Sequence, residues 1–231
     1  MEIQITSLLQ GAREAQGVTI IIDVFRAFTT AAVAFDRGAK QIILVAEIEE
    51  ARQLQRQGLG DLCMGEVDGI KPDGFEFGNS PYALNQANLG GKTLIQSTRA
   101  GTVGVSAVTS TASLYLGSLV TASATVQAIL DEAPSLVTIV AMGAAAKYRT
   151  DEDEQCALYL RNRLQGRYPD PEAVKQLVLA GDEAQKYLDP SQPQFHPQDR
   201  EFAVSIDRYP YAIAVKREHG LLVARVVGHD A

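Results

Sequence analysis

Tryptophan is absent from this chain, and cysteine and histidine are scarce, with two of the former and three of the latter in 231 residues. Cys63 and Cys156 stand far apart without C-x-x-C spacing, which removes a zinc knuckle and a disulfide framework from consideration. Each reads as a small buried hydrophobe. His196, His219 and His229 show neither H-x-H nor H-E-x-x-H spacing, so any metal would be held by oxygen, pointing to magnesium rather than zinc. No apolar run approaches the roughly twenty residues of a membrane span, and Met1-Glu2-Ile3 does not open a signal peptide, so a cytoplasmic protein is expected. Positive charge is in deficit as well: 21 Lys and Arg against 28 Asp and Glu leave a formal charge of -7. A phosphate backbone demands a basic face, so no nucleic-acid partner is expected, although a small anion could still find a local basic pocket. No G-x-G-x-x-G or G-x-S-x-G is present, and Gly91-Lys92-Thr93 lacks the first glycine of a P-loop, with Gln86 in its place.

What the chain does contain is an alternation of apolar runs and helical patterns. Glu2 to Thr6 alternates as an edge strand does, and Val18 to Ile22 is a continuous β-branched run fit for a central strand. Helices over Ala27 to Gly38 and Glu47 to Gln57 alternate with strands at Gln41 to Ala46 and Asp61 to Gly65. The rhythm continues through a short helix from Pro81, strands at Lys92 to Gln96, Leu114 to Leu116 and Leu136 to Met142, and helices from Gly101 to Ser110, Ala122 to Glu132 and Thr150 to Leu164. After Arg167 it changes. Five of the nine prolines fall between Arg167 and Pro197, around a helix at Pro171 to Ala180. Strands are predicted at Phe202 to Ile206, Tyr211 to Lys216 and Leu221 to Val227, the last two as a hairpin. The expectation is one α/β domain over 1–231, a three-layer α/β/α sandwich with a mostly parallel or mixed sheet and C-terminal antiparallel strands, 167–231 being a smaller subregion.

The stretch Gly65 to Pro81 holds four glycines, two prolines and four carboxylates in seventeen residues, a loop composition directly after a predicted strand. Four chemically active groups follow four predicted strands: Asp23 with Arg26, Glu66, Ser97-Thr98-Arg99, and Gly143 leading to Lys147 and the acidic run from Asp151. In a parallel sheet these strand ends share one edge and face one crevice. Asp23 there can bind a metal, act as a base or attack phosphorus, or simply cap the following helix. Arg26 and Arg99 offer forks suited to an anion, and Ser97 to Thr102, with Gly101, reads as a phosphate cradle at a strand-to-helix turn. Glu152 and Asp153, with Glu66 across the crevice, are what a magnesium ion needs, although an acidic first turn is also ordinary helix chemistry.

Asp23-Val24-Phe25-Arg26-Ala27, Gly65-Glu66, Gly74 to Pro81 ending in Gly-Asn-Ser-Pro, Ser97 to Thr102, and Glu152-Asp153 together resemble the 2-phosphosulfolactate phosphatase family, in order from about residue 18 to 160. The resemblance implies an α/β/α fold and magnesium-dependent hydrolysis of 2-phospho-3-sulfolactate to sulfolactate and phosphate, a step of coenzyme M biosynthesis. It implies catalytic roles for Asp23, Arg26, Glu66 and Arg99, and metal ligation by Asp23, Glu66, Glu152 and Asp153. Substrate contacts would come from Arg26, Asn79, Ser80, Ser97, Thr98, Arg99, Gly101, Thr102 and Lys147. Another acidic phosphorylated small molecule, or anion binding without turnover, are the alternatives. The residues show no oligomeric state; a homodimer is common for such enzymes.

Overall fold

Two parallel half-sheets running in opposite directions, joined by an antiparallel hairpin, form the centre of the protein in a computed structural model that describes residues 1–228. His229 lies outside the described residues. The first half of the chain gives β1 (Glu2–Ser7), α1 (Leu8–Glu14), β2 (Val18–Ile22), α2 (Ala27–Asp36), β3 (Gln41–Val45), α3 (Ile48–Arg56), β4 (Leu62–Gly65), α4 (Pro81–Leu84) and β5 (Thr93–Ser97). Then follow α5 (Gly101–Ala107), β6 (Ser113–Gly117), α6 (Ala122–Asp131), β7 (Leu136–Ala141), α7 (Asp151–Leu164), α8 (Pro171–Ala180), α9 (Asp182–Gln185), α10 (Pro197–Ala203), β8 (Ala212–Glu218) and β9 (Leu221–Val227).

The nine strands are ordered β1-β7-β2-β6-β8-β9-β3-β5-β4. β1, β7, β2 and β6 pair in parallel, as do β3, β5 and β4. The β8–β9 hairpin is antiparallel within itself and to both its neighbours, β6 and β3. Its turn is His219-Gly220, both at positive φ, the backbone that a two-residue hairpin loop requires. Every residue of β2 is buried, as the uninterrupted Val-Thr-Ile-Ile-Ile run demands of a strand covered on both faces.

Helices cover both faces. On one side α2, nine of whose ten residues are buried, shares an apolar cluster with Ile21, Leu116 and Val140 of one half-sheet and Ile42, Leu44 and Leu94 of the other. A helix apolar all round belongs in such a position, and the Ala-rich sequence lets it approach closely. On the opposite face α6, α7 and α8 pack over β2, β6 and β7, while α3 covers β3, β4 and β5. The α/β/α layering and the antiparallel C-terminal hairpin follow the sequence expectation. Among the described residues no helix is long and apolar enough to cross a membrane.

Three details differ from that expectation. Phe202 to Ile206 is not a strand: Pro197 at the first turn and His196, whose Nδ1 accepts from Gln198 N at 3.2 Å, start α10, which ends at Ala203. The proline start signal outweighs the short apolar run. The small helix α1 was not anticipated. Finally, the active strand ends do not share one edge of a parallel sheet, because three antiparallel steps separate β6 from β3. Five strand-to-strand steps lie between β2 and β5, enough for a twist of roughly 100–125°. The two sets of ends nevertheless meet around the start of α2, where Gly101 N, after β5, bonds Asp23, after β2.

Candidate active site

Asp23 stands where β2 ends and the chain turns into α2. Its Oδ1 accepts from Ala27 N at 2.9 Å and its Oδ2 from Gly101 N at 2.8 Å. The first bond closes the opening turn of α2, and the second ties that turn to the segment after β5, joining the two half-sheets. A Cβ on residue 101 would lie 2.8 Å from Asp23 Oδ2, so glycine is what allows this approach. Burial raises the Asp23 carboxyl to about 6; the two N–H donors oppose the rise, and the nearby Glu66 charge adds to it.

Glu66 follows β4 and is held in the same manner. Its Oε1 accepts from Arg99 N and its Oε2 from Gly69 N, both at 2.8 Å. The turn 97–102 therefore directs its main-chain donors at two carboxylates. Thr98 and Thr102 bond to each other, Thr98 N to Thr102 Oγ1 at 2.8 Å and Thr102 N to Thr98 Oγ1 at 3.2 Å. Ser97 Oγ is 3.4 Å from Ala46 O. The donors expected to cradle a phosphate instead fix Asp23 and Glu66, and the exposed Arg99 side chain is the part of the turn that projects from it. Its guanidinium has no hydrogen bond or ion pair among the described residues.

Arg26 is buried, and its charge is already matched. Nη1 lies 2.7 Å from Asp199 Oδ2 and 3.0 Å from Gln194 O. Asp199 is wholly inaccessible and also accepts from Ser80 Oγ at 2.7 Å and Tyr82 N at 3.0 Å. The rings of Phe195 and Tyr187 lie 5.2 and 5.7 Å from the guanidinium carbon, within cation–π range. Arg26 thus fastens the Pro-rich segment 182–199 over the end of β2. Nothing in the local sequence pairs Arg26 with an aspartate 173 residues away.

In the acidic first turn of α7, Asp153 uses both oxygens at 2.8 Å on main-chain N–H groups, Oδ1 on Val24 and Oδ2 on Gly143. Gly143 sits at φ +62°, and a Cβ there would lie 2.0 Å from Tyr148 O, so a side chain is excluded. Burial, then the charges of Glu152 and Asp23, push the Asp153 carboxyl well up. Glu152 Oε1 accepts from Thr150 Oγ1 at 2.7 Å, whereas its buried Oε2 has no hydrogen-bond partner among the described residues. Burial raises Glu152 to about 8. Glu154 turns away to Arg149 at 2.8 Å and Ser7 at 2.6 Å.

A cavity of about 320 Å³ opens where these elements meet. Of the residues predicted from sequence, Asp23, Arg26, Glu66, Asn79 and Arg99 line it; the Asn79 carboxamide oxygen is buried without a hydrogen-bond partner among the described residues. Ser80, Ser97, Thr98, Gly101, Thr102, Glu152 and Asp153 lie behind the lining, and Lys147 is an exposed residue outside it. Phe25, the Asp68-Gly69 and Gly143 to Ala145 turns, and Ala100 add to the wall, and its far side comes from Glu183, Lys186, Gln192, Gln194 and Phe195. The prolines of that segment marked it as irregular chain; no motif marked it as a wall. Among the described residues no group of three or more His, Cys, Asp or Glu is arranged as a metal cage. Asp23 and Glu66, which repel each other at the cavity, fit an ion that takes only one or two carboxylates and completes its shell with water and substrate oxygens.

Comparison with known proteins gives this geometry a family. The chain is 31% identical over 186 residues to a protein from Bacillus subtilis, covering 79% of each chain. It is 36% identical over 167 residues to one from Parasynechococcus marenigrum, covering 71% of this chain and 66% of that one. It is 34% identical over 155 residues to one from Caldicellulosiruptor saccharolyticus, covering 65% and 64%. The match thus spans slightly under two thirds of the last two proteins. All three bear the name probable 2-phosphosulfolactate phosphatase. The family profile described as 2-phosphosulpholactate phosphatase matches residues 3–196, and the chain belongs to that family.

Proposed function

We propose that the protein is a magnesium-dependent phosphatase that hydrolyses 2-phospho-3-sulfolactate to 3-sulfolactate and phosphate, a reaction of the coenzyme M biosynthesis type. The observation that carries the reading is the pairing of Asp23 and Glu66, each held by two main-chain N–H groups, at a cavity that also receives the unpaired Arg99. The family match and the names of the relatives support the substrate.

Asp23 and Glu66 would hold the magnesium ion. When bound, the ion supplies Lewis-acid polarisation of the phosphoryl group and offsets charge that develops there. Asp23, on the same carboxylate pair, would also orient the attacking water toward phosphorus. Arg99 would meet the phosphoryl oxygens, because its main chain is bonded to Glu66 and its side chain faces the same cavity. Asn79 contributes a polar contact from the Gly-Asn-Ser-Pro loop, while Arg26, with its charge taken by Asp199, positions the segment 182–199. Asp153, bonded to the N–H groups that follow β2 and β7, keeps the two strand ends in register behind Asp23.

The test is release of phosphate from 2-phospho-3-sulfolactate by purified protein, with magnesium and with EDTA. Release that needs the metal and falls at least a hundredfold in Glu66→Gln supports the reading. Metal-independent release, or full activity in Glu66→Gln, refutes it; binding without release would leave an anion-binding protein.

A further inference from the structure

Three cations line the cavity, Arg26, Arg99 and Lys186, and the structure divides their work. The charge of Arg26 is matched at 2.7 Å by the inaccessible carboxylate of Asp199. Arg99 belongs to the turn that holds Asp23 and Glu66, so it serves the group that reacts. Lys186 comes from a different element, the segment that follows α8. Its neighbour Tyr187 is buried at 5.1 Å from the Phe25 ring and 5.5 Å from the Phe195 ring, which fixes the backbone from which Lys186 projects. The Lys186 ammonium is 2.5 Å from Glu183 Oε1, and both side chains remain partly exposed at the cavity. A flexible ammonium beside one exchangeable carboxylate can turn to an incoming acid group without leaving a buried charge unpaired.

We propose that Lys186 is a specificity-determining residue that recognises the acid group of the substrate remote from its phosphoryl group. Glu183 holds the ammonium in place and repels ligands that bring charge without reaching Lys186. This inference rests on the phosphatase reading, since it presupposes a substrate bearing a second acid group. It assigns to the segment 182–199 a part in substrate choice beyond closing the wall. Gln192, whose Nε2 is fixed at 2.9 Å on Asp189 Oδ2, is a further polar residue on the same stretch.

The experiment compares wild type, Lys186→Gln and Lys186→Arg on 2-phospho-3-sulfolactate, phospholactate and glycerol 2-phosphate, which carry two, one and no acid groups besides phosphate. A charge-assisted contact of this kind predicts that Lys186→Gln loses about 10–100-fold more in kcat/KM on the sulfonated substrate than on glycerol 2-phosphate, chiefly through KM. Lys186→Arg should recover most of that selectivity. Equal losses on all three esters, or no loss on any, overturn the proposal. Lys186 is partly exposed and outside the packed core, so its variants should fold, which an unchanged Tm verifies. Calorimetric binding of 3-sulfolactate and of inorganic phosphate separates the two readings. If wild type releases phosphate from no ester, the phosphatase reading fails; Lys186 still stands if Lys186→Gln weakens sulfolactate binding more than phosphate binding. It falls if the two weaken alike or if wild type binds no sulfolactate.

Discussion

Asp199 offers the most demanding test of how this site is held together. Its carboxylate is inaccessible, sits 2.7 Å from the guanidinium of Arg26, which is itself only 3% exposed, and also accepts from Ser80 Oγ and Tyr82 N. Asp199→Ala would leave a buried guanidinium without its bonded carboxylate, with hydrogen bonds to Gln194 O at 3.0 Å and Gly69 O at 3.5 Å and the rings of Phe195 and Tyr187, together with an orphaned Tyr82 N–H. Breaking a buried ion pair from one side costs about 3–5 kcal/mol. The Ser80 hydroxyl can turn to another partner, so we expect about 4 kcal/mol in all, read by urea denaturation. For a chain of this length that corresponds to a fall in Tm of roughly 8–16 °C. Asp199→Asn, which keeps an acceptor for Tyr82 but loses the charge, should fall between wild type and Ala. The double variant Arg26→Met with Asp199→Leu removes both charges and should be more stable than Asp199→Ala alone, because replacing a buried pair by apolar groups is often neutral. A cost under about 1 kcal/mol for Asp199→Ala, or a double variant as unstable as the sum of its singles, would refute the view that this pair is sealed from water and coupled.

Other expectations are simpler to state. Gly101→Ala puts a methyl 2.8 Å from Asp23 Oδ2 and 2.9 Å from Ala27 Cβ, so the strand ends must separate; activity should fall by at least tenfold, with stability lowered by about 1–3 kcal/mol in urea titrations. Glu152 is raised from its ordinary value near 4.5 to about 8, so the folded protein keeps a proton that the unfolded chain has released between those two pH values. Folding stability in EDTA should therefore fall as pH rises through that window, Glu152 contributing about 1.4 kcal/mol per pH unit in addition to the raised Asp23 and Asp153, and Glu152→Gln should make the slope shallower. A stability that rises with pH there would contradict the assignment. Asp23→Asn should abolish turnover while leaving Tm within a few degrees, since one amide oxygen still accepts from Ala27 or Gly101; retention of more than a few per cent of the activity would remove Asp23 from the chemistry.

How legible the site was in the sequence depended on distance along the chain. The β-branched run of β2, the Ala-rich α2 and the proline and glycine boundaries announce themselves locally, because burial on two faces and helix closure are properties of five to ten consecutive residues. Asp23 and Glu66 were readable for the same reason, each a charged group immediately after an apolar run, and Arg99 stood out as the cation of the polar turn that follows Leu94-Ile95. The segment 182–199 was not readable, since what makes it a wall is a set of contacts between Arg26, Asp199, Tyr187 and Phe195 that no spacing records. Ser97 to Thr102 was legible as a turn with free donors, but whether such donors meet an anion from solvent or a carboxylate of the protein depends on what the fold brings opposite them. Here the fold brings Asp23 and Glu66.

The same reasoning explains why the two half-sheets need the C-terminal hairpin between them. A single parallel sheet would align the ends of β2, β7, β4 and β5 along one edge and leave Asp23 and Glu66 separated by the width of the intervening strands, each about 4.8 Å wide. With β8 and β9 inserted, the halves run in opposite directions and twist accumulates across the steps between them. The segment after β5 then reaches Asp23, Gly101 N closes on its carboxylate, and α2 fills the space between the halves. Asp23 is thereby fixed by main-chain groups from both halves of the sheet, and Glu66 by groups that follow β4 and β5. The topology of the sheet thus bears on the site through a hairpin that supplies none of the candidate catalytic residues.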